Sequence, residues 1–263
     1  MPVNLKLGRR PAVLDVRVPF LRDVTTIKQL PPAPAWANWY AGEPSWPMLG
    51  NDSVSDCLQA AIGHAVQQFR TYTRDAEFPM PTDAEAVAFY SASTGYNPAD
   101  PTTDQGSYVM GPNGVMQYWA TKGAMFGGTL SKVQAYVQVH KTTNAEQWRQ
   151  AIHYFGGLLV GISLPQSILA ADTVPYVWED ASGPIAGGHE IWVCGYQQVA
   201  GQWYFDFISW GARYRATQAF LDAVTDEAVA VYDTESINGR GLNPDDFTPT
   251  QLFAAMRSIR AMT

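Results

Sequence analysis

Basic charge is scarce in this sequence. Among 263 residues, 17 Lys and Arg stand against 24 Asp and Glu, and charged residues of both signs make up only 16%. No basic run or stripe occurs, which argues against nucleic acid as a partner, because phosphate binding requires one. Cysteine is scarce too. Cys57 and Cys194 lie far apart and make no disulfide framework, and a chain of this length buries a sizeable core without one. Reduced thiols in a cytoplasmic setting are the expectation, or a virion setting if the chain is phage-encoded. Long apolar runs are also missing. The longest, around GGLLVGISL, is far short of the roughly 18 to 20 residues that span a bilayer, and the opening residues hold no continuous apolar segment of the signal-peptide kind, so no membrane partner is expected. His64, His140 and His153 show no ligand spacing with one another, so neither a metal nor another cofactor is expected. There is no internal repeat and no low-complexity tract.

What is present is apolar and aromatic: 46% of residues are hydrophobic and 9 are Trp. Residues 1–48 carry LPPAPAWANWYAGEPSWP, whose prolines forbid regular helix, so an extended arm packed on the body is expected. After Ser55 and Asp56, both good cap residues, Leu58, Ala61, Ile62, Ala65, Val66 and Phe69 follow the rhythm of a helix with one buried face. Cys57 falls in its first turn. TDAE at 82–85 and TNAE at 143–146 each place Thr three positions before Glu, the reciprocal capping arrangement, and predict two more helices. GVMQYWATKGAM predicts a short helix stopped at Gly123. Residues 49–155 therefore read as a helical lobe.

From Gly156 the character changes. LLVGISLP, HEIWVCGYQ, WYFDFISWG and EAVAVYD are short β-rich runs bounded by turn residues, and they predict a mostly antiparallel sheet. TPTQLFAAMRSIRAM, with Thr248 as cap and Pro249 at the first helical position, predicts a closing helix. Residues 156–263 read as a β lobe, and the whole as one integrated α+β domain.

A helical lobe with Cys at a helix start, followed by a β lobe with Gly-Gly-His on one strand and Ser-Trp-Gly on the next, resembles the papain-like cysteine hydrolases. His189 follows Cys57 by about 130 residues, the family's spacing. GGHEIWVCGY at 187–196 looks like the family's Gly-His strand and ISWG at 208–211 like its Asn-Ser-Trp-Gly segment. A wider string (GND, DC, TGYNPADPTTDQG, FGGLLVGISLP, GGHE, SWG, TDEAVAV) is similar to a group of papain-fold proteins met in bacterial, prophage and phage genomes. The resemblance implies Cys57 as nucleophile and His189 as general base and then acid. Asn51 stands where the family keeps an oxyanion-donating glutamine. Ser55, Asp56, Gly187, Gly188 and Trp210 would line the substrate cleft, the glycines leaving room beside His189 and Trp210 shielding the pair from water. A thiol at a helix N-terminus beside an imidazole is expected to be ionised at neutral pH.

Two departures qualify that reading. The family's imidazole-orienting Asn is replaced by Ile208, which accepts no hydrogen bond, so Asp206 or a backbone carbonyl is the expected substitute. Ser209 is expected to point to the other face of the strand. Asp56 also sets a negative charge beside the thiol. A cysteine in a first helical turn is, taken alone, more often a small buried residue than a nucleophile. Two functions follow: a hydrolase of a peptide, isopeptide or amide bond acting on a peptide or protein, or an inactive papain-fold module that binds other protein subunits of an assembly, such as a virion. On the first, Ile208→Asn is expected to speed acyl transfer.

Overall fold

The computed structural model describes residues 5–18, 20, 32–73, 78–140, 145–170 and 173–233. The closing helix expected near Thr248 and the start of the TNAE motif lie outside them. In chain order the elements are β1 (Trp36–Asn38), α1 (Cys57–Thr73), α2 (Asp83–Thr94), α3 (Val115–Thr121), β2 (Ala124–Phe126), β3 (Thr129–Ser131), β4 (Val133–Val139), α4 (Ala145–Phe155), β5 (Leu158–Pro165), α5 (Gln166–Leu169), β6 (Val177–Trp178), β7 (Ile185–Val199), β8 (Gln202–Ser209), β9 (Ala212–Thr217), α6 (Gln218–Val224) and β10 (Thr225–Asp233).

The main sheet runs β4-β10-β5-β7-β8-β9-β6, with β1 added to β7, and only the β6–β9 pairing is parallel. This is a mixed α+β fold with a large, mostly antiparallel sheet. The strand order has a local cause. β5 and the middle of β7 are largely apolar runs buried on both faces, so they occupy the middle of the sheet. β9, reading ARYRAT, is half exposed and lies towards one side. β4 belongs to this sheet through β10, so the boundary drawn at residue 156 does not separate helices from strands.

Helix α1 is the pillar. From Cys57 to Arg70 every residue is buried, rather than the single face that the apolar periodicity predicts. Its polar residues tolerate this because each finds a partner. Gln59 donates to Ser93 and Ser107, Gln67 to Glu43 and the Ser45 carbonyl, and Arg70 to the Thr129 carbonyl. The sheet meets α1 through an apolar row across three strands, Trp192, Leu159 and Val229, which are directly opposite one another in register. The Trp192 ring stands edge-on to Phe69 at 5.7 Å, and its indole N–H donates to Gln68 Oε1 at 2.8 Å. Beyond α1, α2 begins at Thr82 with the reciprocal cap to Glu85 that TDAE predicts, and the chain leaves α3 through Gly123 at φ 83°.

Gln68 also donates to the Gly156 carbonyl at 2.8 Å, so one side chain ties α1 to the start of β5 and to β7. Gln68→Ala leaves a buried indole N–H and a carbonyl unpaired and is expected to cost about 2–4 kcal/mol. Denaturant unfolding checks this: the midpoint falls and the slope stays the same.

Candidate active site

Cys57 is the first residue of α1, so its backbone N–H is one of the helix's unpaired donors. Its thiol is 1% exposed and lies against two backbone N–H groups, those of Glu190 and Gly8. Glu190 directly follows His189 on β7. The structure thus brings Cys57 to the His189 segment, and it places a third party between them and solvent.

That third party is the chain's own residues 5–10, which run extended through the cleft. Lys6 N–H donates to the Asn51 carbonyl (3.1 Å), Ser107 N–H to the Gly8 carbonyl (2.7 Å), Arg9 N–H to the Gly188 carbonyl (3.1 Å) and Arg10 N–H to the Ser107 carbonyl (2.8 Å). The Trp210 indole donates to the Lys6 carbonyl at 3.2 Å. Side chains are excluded where this segment passes. A Cβ on Gly188 would lie 2.2 Å from the Arg9 carbonyl oxygen, one on Gly106 2.0 Å from that of Gly8, and one on Gly8 itself 1.9 Å from the carbonyl oxygen of Ser55. Gly187 faces Leu7 in the same way, its added Cβ meeting the Leu7 side chain at 2.9 Å. The Ser55 turn is held from behind by Asp104, whose carboxylate accepts from Ser55 N–H and Tyr90 O–H.

His189 is 0% exposed and stacks on Trp210, ring centroids 4.2 Å apart. Its Nε2 lies 2.7 Å from Ser209 Oγ, while Nδ1 has no hydrogen-bond partner. With the proton on Nε2 the ring donates to Ser209 and keeps the Nδ1 lone pair free. Ser209, not Asp206, is the imidazole's partner. The reason is register. Ile208 is opposite Trp192 and shares its face, towards α1, so Ser209 falls on the other face with Phe207, Ile191 and His189. Asp206 shares the face of Ile208 and is committed to Arg215 (2.9 and 3.1 Å) and Tyr40.

Asn51 is likewise otherwise engaged. Its amide donates to the Val54 carbonyl at 3.3 Å and lies beside the Asp56 carboxyl, so it closes the turn ahead of α1. Burial drives the Asp56 acid well above the usual carboxylate range, which opposes the charge expected next to the thiol.

Both groups are neutral in this arrangement. Burial, with the Glu190 charge second, pushes the Cys57 thiol up to about 12, and burial, with Arg9 second, pulls the His189 imidazole down to about 3. The ionised pair expected from the helix terminus is therefore not the state with residues 5–10 in place. Cys194 is buried among core residues and its thiol is raised as well. Among the described residues no three His, Cys, Asp or Glu side chains gather as a metal would need, and no helix is long and apolar enough to cross a membrane.

The chain has the fold of papain-like cysteine proteases. It is similar to xylellain, a cysteine protease from Xylella fastidiosa, at 12% identity and TM-score 0.63 over 88% of this chain and 97% of that one. Procathepsin L 3 from the larval midgut of Tenebrio molitor matches at 13% and 0.59, covering 88% and 76%. The ragweed pollen cysteine protease Amb a 11, in its proform, matches at 12% and 0.59, covering 87% and 76%. No protein-family model and no curated protein matches the sequence.

Ile208 is 0% exposed in the core between the sheet and α1, so it is not a vacant orienter's place. Ile208→Asn is expected to bury an amide there, to cost about 3–5 kcal/mol of stability and to bring no gain in acyl transfer. Equilibrium unfolding and single-turnover rates check both halves.

Proposed function

We propose that this protein is a papain-fold cysteine hydrolase of peptide, isopeptide or amide bonds, held latent by its own residues 5–10. One observation carries the reading: the cleft beside Cys57 holds an extended peptide by its main chain, through Ser107, Gly188 and Asn51. A surface that grips an extended main chain is what a peptide-cleaving site requires.

Once residues 5–10 leave, water and substrate reach the pair. The Cys57 thiol gives its proton to His189 Nδ1 and the sulfur bonds to the substrate carbonyl carbon. The C=O electron pair moves to oxygen, where the unpaired Cys57 backbone N–H meets it. Collapse expels the amine, which takes the proton from the imidazolium and leaves a thioester. Water, deprotonated by His189, then releases the acid and restores the thiol. Ser209 positions the ring throughout, and Trp210 covers it. Asn51 assists the oxyanion only by turning away from Val54.

The second reading, a papain-fold binding or structural module, is favoured by the neutral, covered pair. Turnover separates the two. Gly8→Ala places a Cβ where Ser55 already is, so the full-length variant cannot seat residues 5–10. It is expected to hydrolyse unfolded casein at least tenfold faster than wild type, and Cys57→Ser or His189→Ala added to it removes that activity. In the same variant Ser209→Ala is expected to lower kcat about 10- to 100-fold with KM little changed. A Gly8→Ala protein that opens the cleft and cleaves nothing is the result the binding-module reading requires.

A further inference from the structure

One row along the sheet from Trp192, Leu159 and Val229, on the same α1-facing side, the next three residues in register are Glu190, Gly161 and Glu227. Two acids flank a glycine at the centre of the sheet, and Asp226 borders them. Into this row enters the side chain of Arg9, itself 1% exposed. Its guanidinium donates to Glu227 Oε1 at 3.1 Å, to Asp226 and to the Arg10 carbonyl at 3.0 Å. The glycine is what admits it: a Cβ at 161 would lie 2.6 Å from Arg9 Cδ and 2.9 Å from Nε.

The acids outnumber the cation. Both carboxyl oxygens of Glu190 and one of Glu227 are buried without a hydrogen-bond partner, and Arg9 Nε is unpaired as well. Asp226 has a second partner in Ser163 Oγ. A buried ion pair kept for stability needs one carboxylate, and extra ones are costly to desolvate. This surplus sits beside the reacting sulfur, because the backbone N–H of Glu190 faces Cys57.

We propose that Glu190, Glu227 and Asp226, with Gly161 as floor, form a substrate pocket selective for an arginine side chain, which Arg9 fills in the latent state. The proposal rests on the hydrolase reading and names its substrate class: peptides that carry a guanidinium where the chain's own segment carries Arg9. Guanidinium suits the pocket better than ammonium because its planar fork donates to two neighbouring carboxylates of β10, Asp226 and Glu227, at once. Burial raises both glutamic acids, Glu227 to about 7, with the Glu227 and Asp226 charges adding to the rise of Glu190 and the Asp226 charge to that of Glu227, while Arg9 opposes the rise in each. An empty pocket therefore lacks the one group it is shaped to hold.

The test uses the full-length Gly8→Ala/Arg9→Ala protein and follows alkylation of Cys57 by iodoacetamide with mass spectrometry, Cys194 serving as internal control. The probe is L-arginine amide, with norleucine amide as its uncharged counterpart. The expected result is at least fivefold slower labelling with arginine amide, none with norleucine amide, and loss of that protection on adding Glu190→Gln and Glu227→Gln. Equal protection by both amides, or by neither, overturns the pocket. Should the double variant not fold, Arg9→Lys serves: arginine amide is expected to displace the lysine and change Cys57 labelling, and an unchanged rate overturns the proposal. Protection needs no turnover, so it stands or falls separately from hydrolysis. Peptides cleaved equally well with leucine in place of arginine would remove the pocket and leave the hydrolase, whereas protection with no cleavage of any peptide would leave the pocket and remove the hydrolase.

Discussion

A guanidinium buried beneath the N-terminal segment is the interaction on which the rest of the site depends. Arg9 reaches through the cleft into the sheet and ends among carboxyls on β7 and β10. Withdrawing one partner from such a buried pair costs about 3–5 kcal/mol, so the segment above it is pinned more firmly than its main-chain hydrogen bonds alone would manage. Gly161, Gly188, Gly106 and Gly8 are the steric conditions for that insertion. Leu7 and the Lys6 carbonyl then complete the cover over Gly187 and Trp210.

From this single placement the electrostatic state follows. A thiol and an imidazole both removed from water are each driven to the neutral form, one upward and the other downward. The helix terminus that would favour a thiolate is present, but its benefit is outweighed while the cleft is covered. On the proposed hydrolase reading the imidazole needs no repositioning: His189 stacks on Trp210 and is held by Ser209.

How much of this could be read in the sequence varied with the range of the interaction. The capping box at Thr82 and the β-rich runs of β5, β7, β8 and β10 are local signals, and they mark elements correctly. VQAYVQV of β4 sets Val133, Ala135, Val137 and Val139 against Gln134, Tyr136 and Gln138, a local strand pattern, but it lies inside the stretch read as a helical lobe, and only its pairing with β10 ties it to the main sheet. The face of Ser209 depends on how β8 sits against β7, with a register shift between Val193 and Gly195 that no residue pattern announces. The all-round burial of α1 is hidden because Gln59, Gln67, Gln68 and Arg70 look like a solvent face until their partners are known. Arg9 was the least legible. Its surroundings come from β5, β7 and β10, far along the chain, and the Arg9-Arg10 pair in a proline-flanked opening looks like any exposed charge.

The most direct measurement is the pH profile of Cys57 alkylation in full-length wild type and in Gly8→Ala. The account predicts that the wild-type rate keeps rising towards a midpoint near 12, so that at neutral pH it is about 1000-fold below that of an ordinary thiol. In Gly8→Ala the midpoint is predicted to fall below that ordinary value, and to return upward when His189 is also replaced by Ala. Superimposable profiles for wild type and Gly8→Ala would contradict the claim that residues 5–10 hold the pair neutral.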